Sequence, residues 1–352
     1  MRLYFDVSTL NPQKVTGVGV YMLQLLRHFK AHPDVELWPV LKLSRLKNKS
    51  AIESTLGLSC RPLLPWTLFP GAESVFHGPD FKLNTWGPFP RIVTVHDMVV
   101  FEEKYNRPDF YLKGIREMTR VLTAPGLDAV IVNSEFTKKE VLRFFPHLSE
   151  RIYVTHLGCN RAQETVTHSL DLPEKYVLYL GTLEKRKNVS GVLKAFEILK
   201  SQGAPEKLVL AGGWGFGAEE IQAQMAASAY KSDIIHLSYV PDGKLAELYS
   251  RARAFFFPSW YEGFGIPVLE AMALGCPVVT SQGGALQEVC GDAALFADPA
   301  DPENMAQVLK QVLSQPELRE KMQKQGRERA AQFTWEQCAE KTLQVYRQVL
   351  GR

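Results

Sequence analysis

Short apolar runs alternate with longer stretches whose apolar residues recur at helical spacing, from LYFDV near the start to ALFAD at 294–298. That alternation constrains the fold more than any other feature. A run of Val, Ile, Leu and Phe between turn residues reads as a buried strand, and a period near 3.6 reads as an amphipathic helix. Successive strands separated by a whole helix must lie parallel, because the chain has to cross back before it can pair again.

The runs fall into two sets. The first comprises LYFDV, VELWPV, SVFHG, RIVTVHD, AVIVNS and RIYVTHLG, with helical patterns at about residues 18–30, 110–122 and 135–145. The second comprises YVLYLG, KLVLAG, DIIHLS, AFFFPS, PVVTS and ALFAD, with helices between them and three more helical stretches after residue 301. The sets are separated by CNRAQETVTHSLDLPEK, residues 159–175, which is polar and aperiodic and contains a proline near its end. At 352 residues the chain is long for one core and comfortable for two. The expected fold class is α/β, with two Rossmann-like, doubly wound parallel-sheet domains at residues 1–165 and 166–335.

Composition narrows the function classes. With 45% hydrophobic and 22% charged residues, the chain reads as globular. The net charge of +3 divides into +5 for residues 1–169 (21 Lys+Arg against 16 Asp+Glu) and −2 for the rest (20 against 22). This asymmetry is too weak to argue for nucleic acid; it suits a front half that meets anionic substrates or an anionic surface. Five scattered cysteines, without Cys-x-x-Cys or zinc spacing, read as reduced thiols in a cytoplasmic protein. The start, MRLYFDVSTL, lacks the layout of a signal peptide, and no run approaches the roughly 18–20 apolar residues of a membrane span. Any membrane contact is expected to be peripheral. Residues 41–70, where Lys42, Arg45, Lys47 and Lys49 precede Trp66, Leu68 and Phe69, read either as a solvated face or as an interfacial patch for lipid or a lipid-linked acceptor.

The richest stretch is WYEGFGIPVLEAMALGCPVV, residues 260–279. It follows the strand AFFFPS, and open parallel sheets bind ligands beyond the carboxyl ends of their strands. Pro267 suits the first helical position, and Gly275 with Pro277 suits the helix end. No Ser, Thr, Asp or Asn stands at 264–266 to cap the helix, so the amides of Ile266, Val268 and Leu269 have no side-chain partner in sequence. Such amides form a ready site for a phosphate, and Gly263 and Gly265 allow close backbone approach. Glu270, placed in the first helical turn, and Glu262, in the loop before it, can only accept hydrogen bonds when ionised, so vicinal hydroxyls are their natural partners. A nucleotide-sugar, with a diphosphate between two hydroxyl-bearing rings, matches the layout.

With VLYLGTLEKRKNVSGVLKAF, LVLAGG, LSYVPDGKLAELYSRARAFFFPS and GGALQEVCGDAALFADP, this stretch resembles the retaining GT-B glycosyltransferases. That family includes bacterial mannosyl- and glucosyltransferases of lipopolysaccharide, capsule and glycolipid assembly. The likeness is strong over about residues 176–300; TGVGVY, VTVHD and VNSEFTKKEV carry it more weakly in the front half. It implies two Rossmann-like domains facing a central cleft, with a C-terminal helix at 336–352 crossing back to the front domain. It assigns Glu262 to hydroxyls of the donor sugar, Glu270 to the ribose, and the backbone of Gly263, Phe264, Gly265, Ile266, Pro267 and Val268 to the sugar and diphosphate. Arg186 and Lys187 would neutralise the leaving diphosphate, as departure of that group requires. Thr182 stands where many relatives carry a further arginine. Val240 and Asp242 fall near the nucleotide base, although Asp242 serves equally as a helix N-cap. In the front half, Gly17 and Gly19 would bring helix amides toward the diphosphate, and His96 and Asp97 would face the reaction centre, with His77 lining the acceptor side. A tight strand–helix turn, a packed histidine and a capping aspartate are the plainer readings of these front-half residues. The glycine cluster LVLAGGWGFG reads as a turn lining the phosphate side, not as a dinucleotide fingerprint.

The implied reaction is hexosyl transfer with retention, best matched to GDP-mannose, onto a saccharide or lipid-linked acceptor. No Asp-x-Asp occurs, so no metal and no cofactor are expected. Three readings compete: transfer from UDP-glucose or another UDP-sugar, a sugar-nucleotide epimerase of similar build, and a non-catalytic nucleotide-sugar-binding partner.

Overall fold

The computed structural model describes residues 1–13, 15–63, 73–81, 83, 89–105, 108–159 and 170–351. Among them the chain forms two compact units. One comprises Met1–Glu102, Pro108–Gly158 and Thr334–Arg352; the other comprises Cys159–Phe333 with the short segment Glu103–Arg107. The boundary expected at 165/166 falls within 160–169, outside the described residues.

The first unit runs β1 (Arg2–Asp6), α1 (Gly17–Ala31), β2 (Glu36–Leu41), α2 (Lys49–Leu56), β3 (Arg61–Pro62), β4 (Ser74–Gly78), β5 (Arg91–Val95), α3 (Pro108–Leu122), β6 (Ala129–Val132), α4 (Glu135–Phe144) and β7 (Ile152–Val154). The second runs β8 (Tyr176–Leu180), α5 (Val189–Ser201), β9 (Lys207–Ala211), α6 (Ala218–Ala227), β10 (Ile234–Leu237), α7 (Asp242–Ser250), β11 (Ala254–Phe257), α8 (Ile266–Ala273), β12 (Val278–Ser281), α9 (Gly284–Cys290), β13 (Ala294–Ala297), α10 (Pro302–Ser314) and α11 (Pro316–Ala330). The last helix, α12 (Trp335–Val349), belongs to the first unit.

Both sheets are parallel throughout. Their orders are β3-β2-β1-β4-β5-β6-β7 and β10-β9-β8-β11-β12-β13. The second is the doubly wound order 3-2-1-4-5-6 of the Rossmann fold. Strands such as Phe255–Phe257 and Val278–Val279 are wholly buried, as expected when helices cover both faces of a parallel sheet. Pro39 sits inside β2, yet β3 pairs only with Val40 and Leu41, so the proline lies where β2 is still an edge and its missing N–H costs nothing.

β3 and α2 fall in the stretch that the sequence pattern left unassigned. A two-residue strand has no period to read, and α2 buries only Ile52 before ending at left-handed Gly57. Here Leu43 (54% exposed) and Leu46 (39%) stand beside the exposed Lys47, whereas Arg45 is engaged, donating to the Leu10 carbonyl at 3.0 Å. Trp66, Leu68 and Phe69 lie outside the described residues. No helix among the described residues is long and apolar enough to cross a membrane.

α12 packs against α1 and is pinned by a buried polar chain that periodicity cannot reveal. The Tyr346 hydroxyl meets His77 Nδ1 at 2.5 Å, His77 Nε2 meets Thr94 Oγ1 at 2.8 Å, and the Tyr21 hydroxyl meets the same Thr94 oxygen at 3.0 Å. His77 is fully buried with both ring nitrogens engaged, so it is a structural pin and does not line an acceptor surface. Desolvation, with a smaller contribution from nearby His96, lowers its pKa from 6.5 to about 3. The folded state therefore resists a proton that the unfolded chain accepts. This contribution to stability is complete above about pH 6.5 and is lost as pH falls toward 3. Unfolding free energy followed by denaturant titration should drop by on the order of 3 kcal/mol more in the wild type than in His77→Gln between pH 7 and 4. Parallel pH profiles for the two proteins would show that His77 is not the group responsible.

Candidate functional site

In the second sheet the chain reverses its winding direction between β8 and β11, which pair directly. The crevice at such a switch point lies beyond the carboxyl ends of the two strands. From these ends spring the loop 181–188 and the loop 258–265, which together hold most of the candidate residues in this unit.

The first loop is braced by the glycine cluster after β9. Leu183 donates to the Gly213 carbonyl and Gly215 to the Leu183 carbonyl, both at 2.9 Å, and Lys185 donates to the Phe216 carbonyl at 2.9 Å. A Cβ at Gly212 would lie 2.1 Å from the Gly181 carbonyl oxygen, and one at Gly215 would lie 2.7 Å from Thr182 Cγ2. These glycines are needed for backbone-to-backbone approach and hold the neighbouring loop. The Thr182 carbonyl accepts from the buried Tyr179 hydroxyl at 3.0 Å. Asn188, in the left-handed region at φ 56°, closes the loop by donating to the carbonyls of Pro258 (3.1 Å) and Pro299 (2.9 Å).

Arg186 does not stand free to meet a ligand. Its guanidinium donates to the Tyr261 carbonyl at 2.6 Å and to Glu184 Oε1 at 2.7 Å, and it pairs with Glu262 Oε1 at 3.3 Å. Ser259 Oγ adds a hydrogen bond to the same Glu262 oxygen at 3.0 Å. Burial by itself would raise the Glu262 pKa, and this is the largest single influence. The charges of Arg186 and Lys187 and the hydrogen bonds from Ser259 and Arg186 together outweigh it, holding the carboxyl below its ordinary value. Glu262 is therefore a pre-oriented carboxylate. Oε1 is committed, while Oε2 accepts no hydrogen bond from a described residue.

Lys187 differs from its neighbour. Its Nζ lies 5.4 Å from the centre of the Phe257 ring, the last residue of β11, and a Cβ at Gly181, just past β8, would lie 3.1 Å from it. The ammonium thus stands over the switch point, and no carboxylate among the described residues is paired with it by contact.

α8 begins at Ile266, one residue before the expected proline, behind Gly265 at φ 100°. A side chain there would be both strained and 2.4 Å from Leu286 Cδ2. As expected, no side chain caps this helix. The amides of Val268 and Leu269, expected to be unsatisfied, instead donate to the Gly265 carbonyl at 3.1 and 3.4 Å, which leaves Ile266 as the amide at the mouth. Phe264 is 3% exposed and sits edge-on to Phe333 at 5.9 Å, so only the backbone of its turn, with buried Gly263, could meet a ligand. Glu270 lies in the second turn of the helix and not the first; its Oε2 accepts from the buried Tyr249 hydroxyl at 3.3 Å. Val240 is half-buried three residues beyond edge strand β10. Asp242 is the first residue of α7, whose cap position is Pro241, so it is not the N-cap.

In the first unit, His96 and Asp97 follow β5. His96 Nε2 is 2.8 Å from the Pro79 carbonyl, an acceptor only, so Nε2 carries the hydrogen of the neutral ring and Nδ1 the lone pair. The ring stands edge-on to Tyr21 at 5.0 Å. Asp97 Oδ1 accepts the Val99 amide at 3.1 Å, the plainer turn-closing role. Gly17 and Gly19 lie inside α1, whose start is eleven residues beyond the end of β1, and not in a tight turn. Gly19 is a packing residue, since a Cβ would meet Val15 Cγ1 at 3.0 Å. Thr16 precedes α1 without a side-chain cap, so the helix start exposes uncapped amides.

Comparison with known proteins decides the family. Residues 160–329 match the model of glycosyl transferases group 1. The chain is 31% identical to the O-antigen chain mannosyltransferase B of Escherichia coli, covering 99% of this chain and all of the relative. It belongs to the group 1 glycosyltransferases. Solved structures share its GT-B fold: sucrose-phosphate synthase from Thermosynechococcus elongatus superposes with TM-score 0.76 at 20% identity over 99% of both chains. Anabaena Alr3699/HepE, in complex with UDP and glucose, does so with TM-score 0.73 at 14% identity over 98% of both.

The residues that orient this glycosyltransferase's site were not legible in advance. Glu184, Ser259, Tyr261 and Tyr249 contact the charged side chains, and Asn188 ties their loop to Pro258 and Pro299. Only the closeness of Glu184 to Arg186 offered a signal. If Arg186 is chiefly a brace for Glu262, removing it leaves a half-buried carboxylate short of its counter-ion even without ligand. Arg186→Ala should then lower the unfolding free energy of the ligand-free protein by about 2–3 kcal/mol, below the 3–5 typical of fully buried pairs. An unchanged denaturant midpoint would mark Arg186 as a residue that serves ligand alone.

Proposed function

We propose that this glycosyltransferase moves a mannosyl group from GDP-mannose, with retention and without a metal ion, to a saccharide or lipid-linked acceptor. The observation that carries the reading is Lys187, which has no ion-pair partner among the described residues and stands over the β8–β11 switch point, near enough to the pre-oriented Glu262 carboxylate to help hold it ionised. The choice of mannose is supported by the full-length relative, itself a mannosyltransferase.

Each group has a defined task in this reading. Glu262 Oε2 accepts hydroxyl hydrogens of the donor sugar, and its charge, fixed by Arg186, costs no reorganisation when the sugar arrives. The diphosphate-facing cation is Lys187, which stabilises the negative charge that develops as the nucleoside diphosphate leaves. The Ile266 amide and the start of α8 hold the same anion. Glu270, steadied by Tyr249, accepts from the ribose hydroxyls. The leaving phosphate oxygen takes the proton of the acceptor hydroxyl as the new glycosidic bond forms on the same face. Contact with a membrane surface through Leu43, Leu46 and Lys47 would bring the enzyme to a lipid-linked acceptor.

A thermal-shift series with GDP-, UDP-, dTDP- and ADP-sugars tests the donor. GDP-mannose should give the largest rise, because only ligands that prefer the native state raise the melting temperature. A larger shift with a UDP-sugar would replace mannose with that donor. Lys187→Ala should weaken GDP binding by about 10- to 100-fold, the worth of a hydrogen bond to a charged group. Glu270→Ala should weaken nucleotide but not free diphosphate, and equal loss of both would remove the ribose assignment. Transfer should persist in EDTA with the α configuration of the product unchanged; loss of activity restored by a divalent ion would overturn the metal-free reading.

A further inference from the structure

Behind the loop 181–188 lies a cavity of about 230 Å³ that the donor site does not use. It is enclosed by the start of α5, the 258–262 loop, α6 and the segment before α10. Its volume falls below the ~300–1,000 Å³ of sites for drug-sized ligands. One sugar ring is an appropriate occupant by size.

The chemistry of the walls is more selective than the volume. Trp260 is 40% exposed and presents a large apolar face on one side, although its own amide is tied to the Arg186 carbonyl at 3.0 Å. Asn188 is 5% exposed, and its side-chain amide donates to the carbonyls of Pro258 and Pro299. Its Oδ1 accepts no hydrogen bond from a described residue and lies against Gly191, which also lines the cavity, so it is an acceptor available to an occupant. Glu220 is a second acceptor, and Lys185 and Lys194 are donors on the rim. None of these three charged groups has an ion-pair partner among the described residues.

An anion would be drawn to the two lysines and to the uncapped start of α5, where Asn188 makes no side-chain cap. It would also face the Glu220 carboxylate and the Asn188 carbonyl oxygen, both repulsive to it. A neutral polyol satisfies every group at once, because each hydroxyl both donates and accepts. A pyranose adds an apolar face of axial hydrogens that suits an indole.

We infer that the cavity between Trp260 and the start of α5 is a saccharide subsite, separate from the donor site, that holds one hexose residue of a glycan chain. The inference rests on the reading of the protein as a glycosyltransferase with a saccharide acceptor and adds to it a holding point for sugar already polymerised. Trp260 is two residues from Glu262, and its amide anchors to the loop that carries Arg186, so occupancy would be felt at the donor carboxylate through one short, rigid connection.

The test is titration of the ligand-free protein with mannotriose and, separately, with inorganic phosphate, followed by calorimetry and tryptophan fluorescence. Mannotriose should bind and phosphate should not compete with it. Trp260→Ala should weaken mannotriose about tenfold or more, as truncation of a central aromatic anchor does, and Trp260→Phe should recover most of the loss. Glu220→Gln should weaken it by less, about threefold, since the amide keeps one acceptor. The melting-temperature rise produced by GDP should stay the same in all three variants, which also reports that they fold. Mannotriose binding that is indifferent to Trp260→Ala, no mannotriose binding at all, or phosphate binding in its place would overturn the subsite. If GDP-mannose fails to raise the melting temperature while mannotriose binding remains sensitive to Trp260, the donor assignment fails and the subsite stands.

Discussion

An all-parallel sheet places the carboxyl ends of every strand on one edge, and the order in which the strands are laid down decides where a crevice opens along that edge. In the second unit the winding reverses between β8 and β11. Everything chemically notable in that unit follows from the two loops released there. The constraint also explains the local sequence. Two loops that leave adjacent strands must pass each other and the loop of the next strand, and the backbones come so close that Gly212 and Gly215 have no room for a side chain. The glycines that resemble a nucleotide fingerprint in isolation are the packing cost of that approach.

Charge at the site is arranged in two grades. Arg186 lies between Glu184, Glu262 and the Tyr261 carbonyl, so its positive charge is already matched within the protein. A cation so compensated fixes the geometry and ionisation of Glu262. Lys187, next in sequence, has no such partner among the described residues and rests over an aromatic face. The short 3-10 turn Lys185–Lys187 turns consecutive residues in different directions, so adjacent basic residues make different contacts. A basic pair in sequence is therefore not a pair of equivalent charges in space.

The fold was legible because burial on both faces forces the strands of a parallel sheet to be continuous apolar runs, and Phe255–Phe257 or Val177–Tyr179 cannot be mistaken. The short β3 was not legible, since two residues with a proline carry no pattern. Within the site, the residues with distinctive chemistry stood out: Glu262, Glu270, Arg186 and the turn around Gly265. What the sequence concealed was how these side chains are used. That Val268 and Leu269 are satisfied by the Gly265 carbonyl depends on the left-handed turn at Gly265, and that Glu270 sits in the second turn depends on a helix start at Ile266. That His77 is a buried pin depends on Tyr346, 269 residues later. Such facts arise from tertiary contacts between segments with no shared period.

The His77 chain shows why the last helix has to return. Burying Tyr21, Thr94, His77 and Tyr346 removes four polar side chains from water, which is unfavourable unless each finds a partner. Thr94, His77 and Tyr21 satisfy one another, with Thr342 of α12 also meeting the Tyr21 hydroxyl, but His77 Nδ1 then remains open. The Tyr346 hydroxyl on α12 closes it. Without α12 the imidazole could gain a proton or admit water at Nδ1, and the apolar contacts of Phe5 and Phe29 around it would be exposed as well. The helix is thus required to complete the first unit's interior, although α11, immediately before it in the chain, belongs to the second. The long excursion of the chain is closed by a residue whose partner was placed 269 positions earlier.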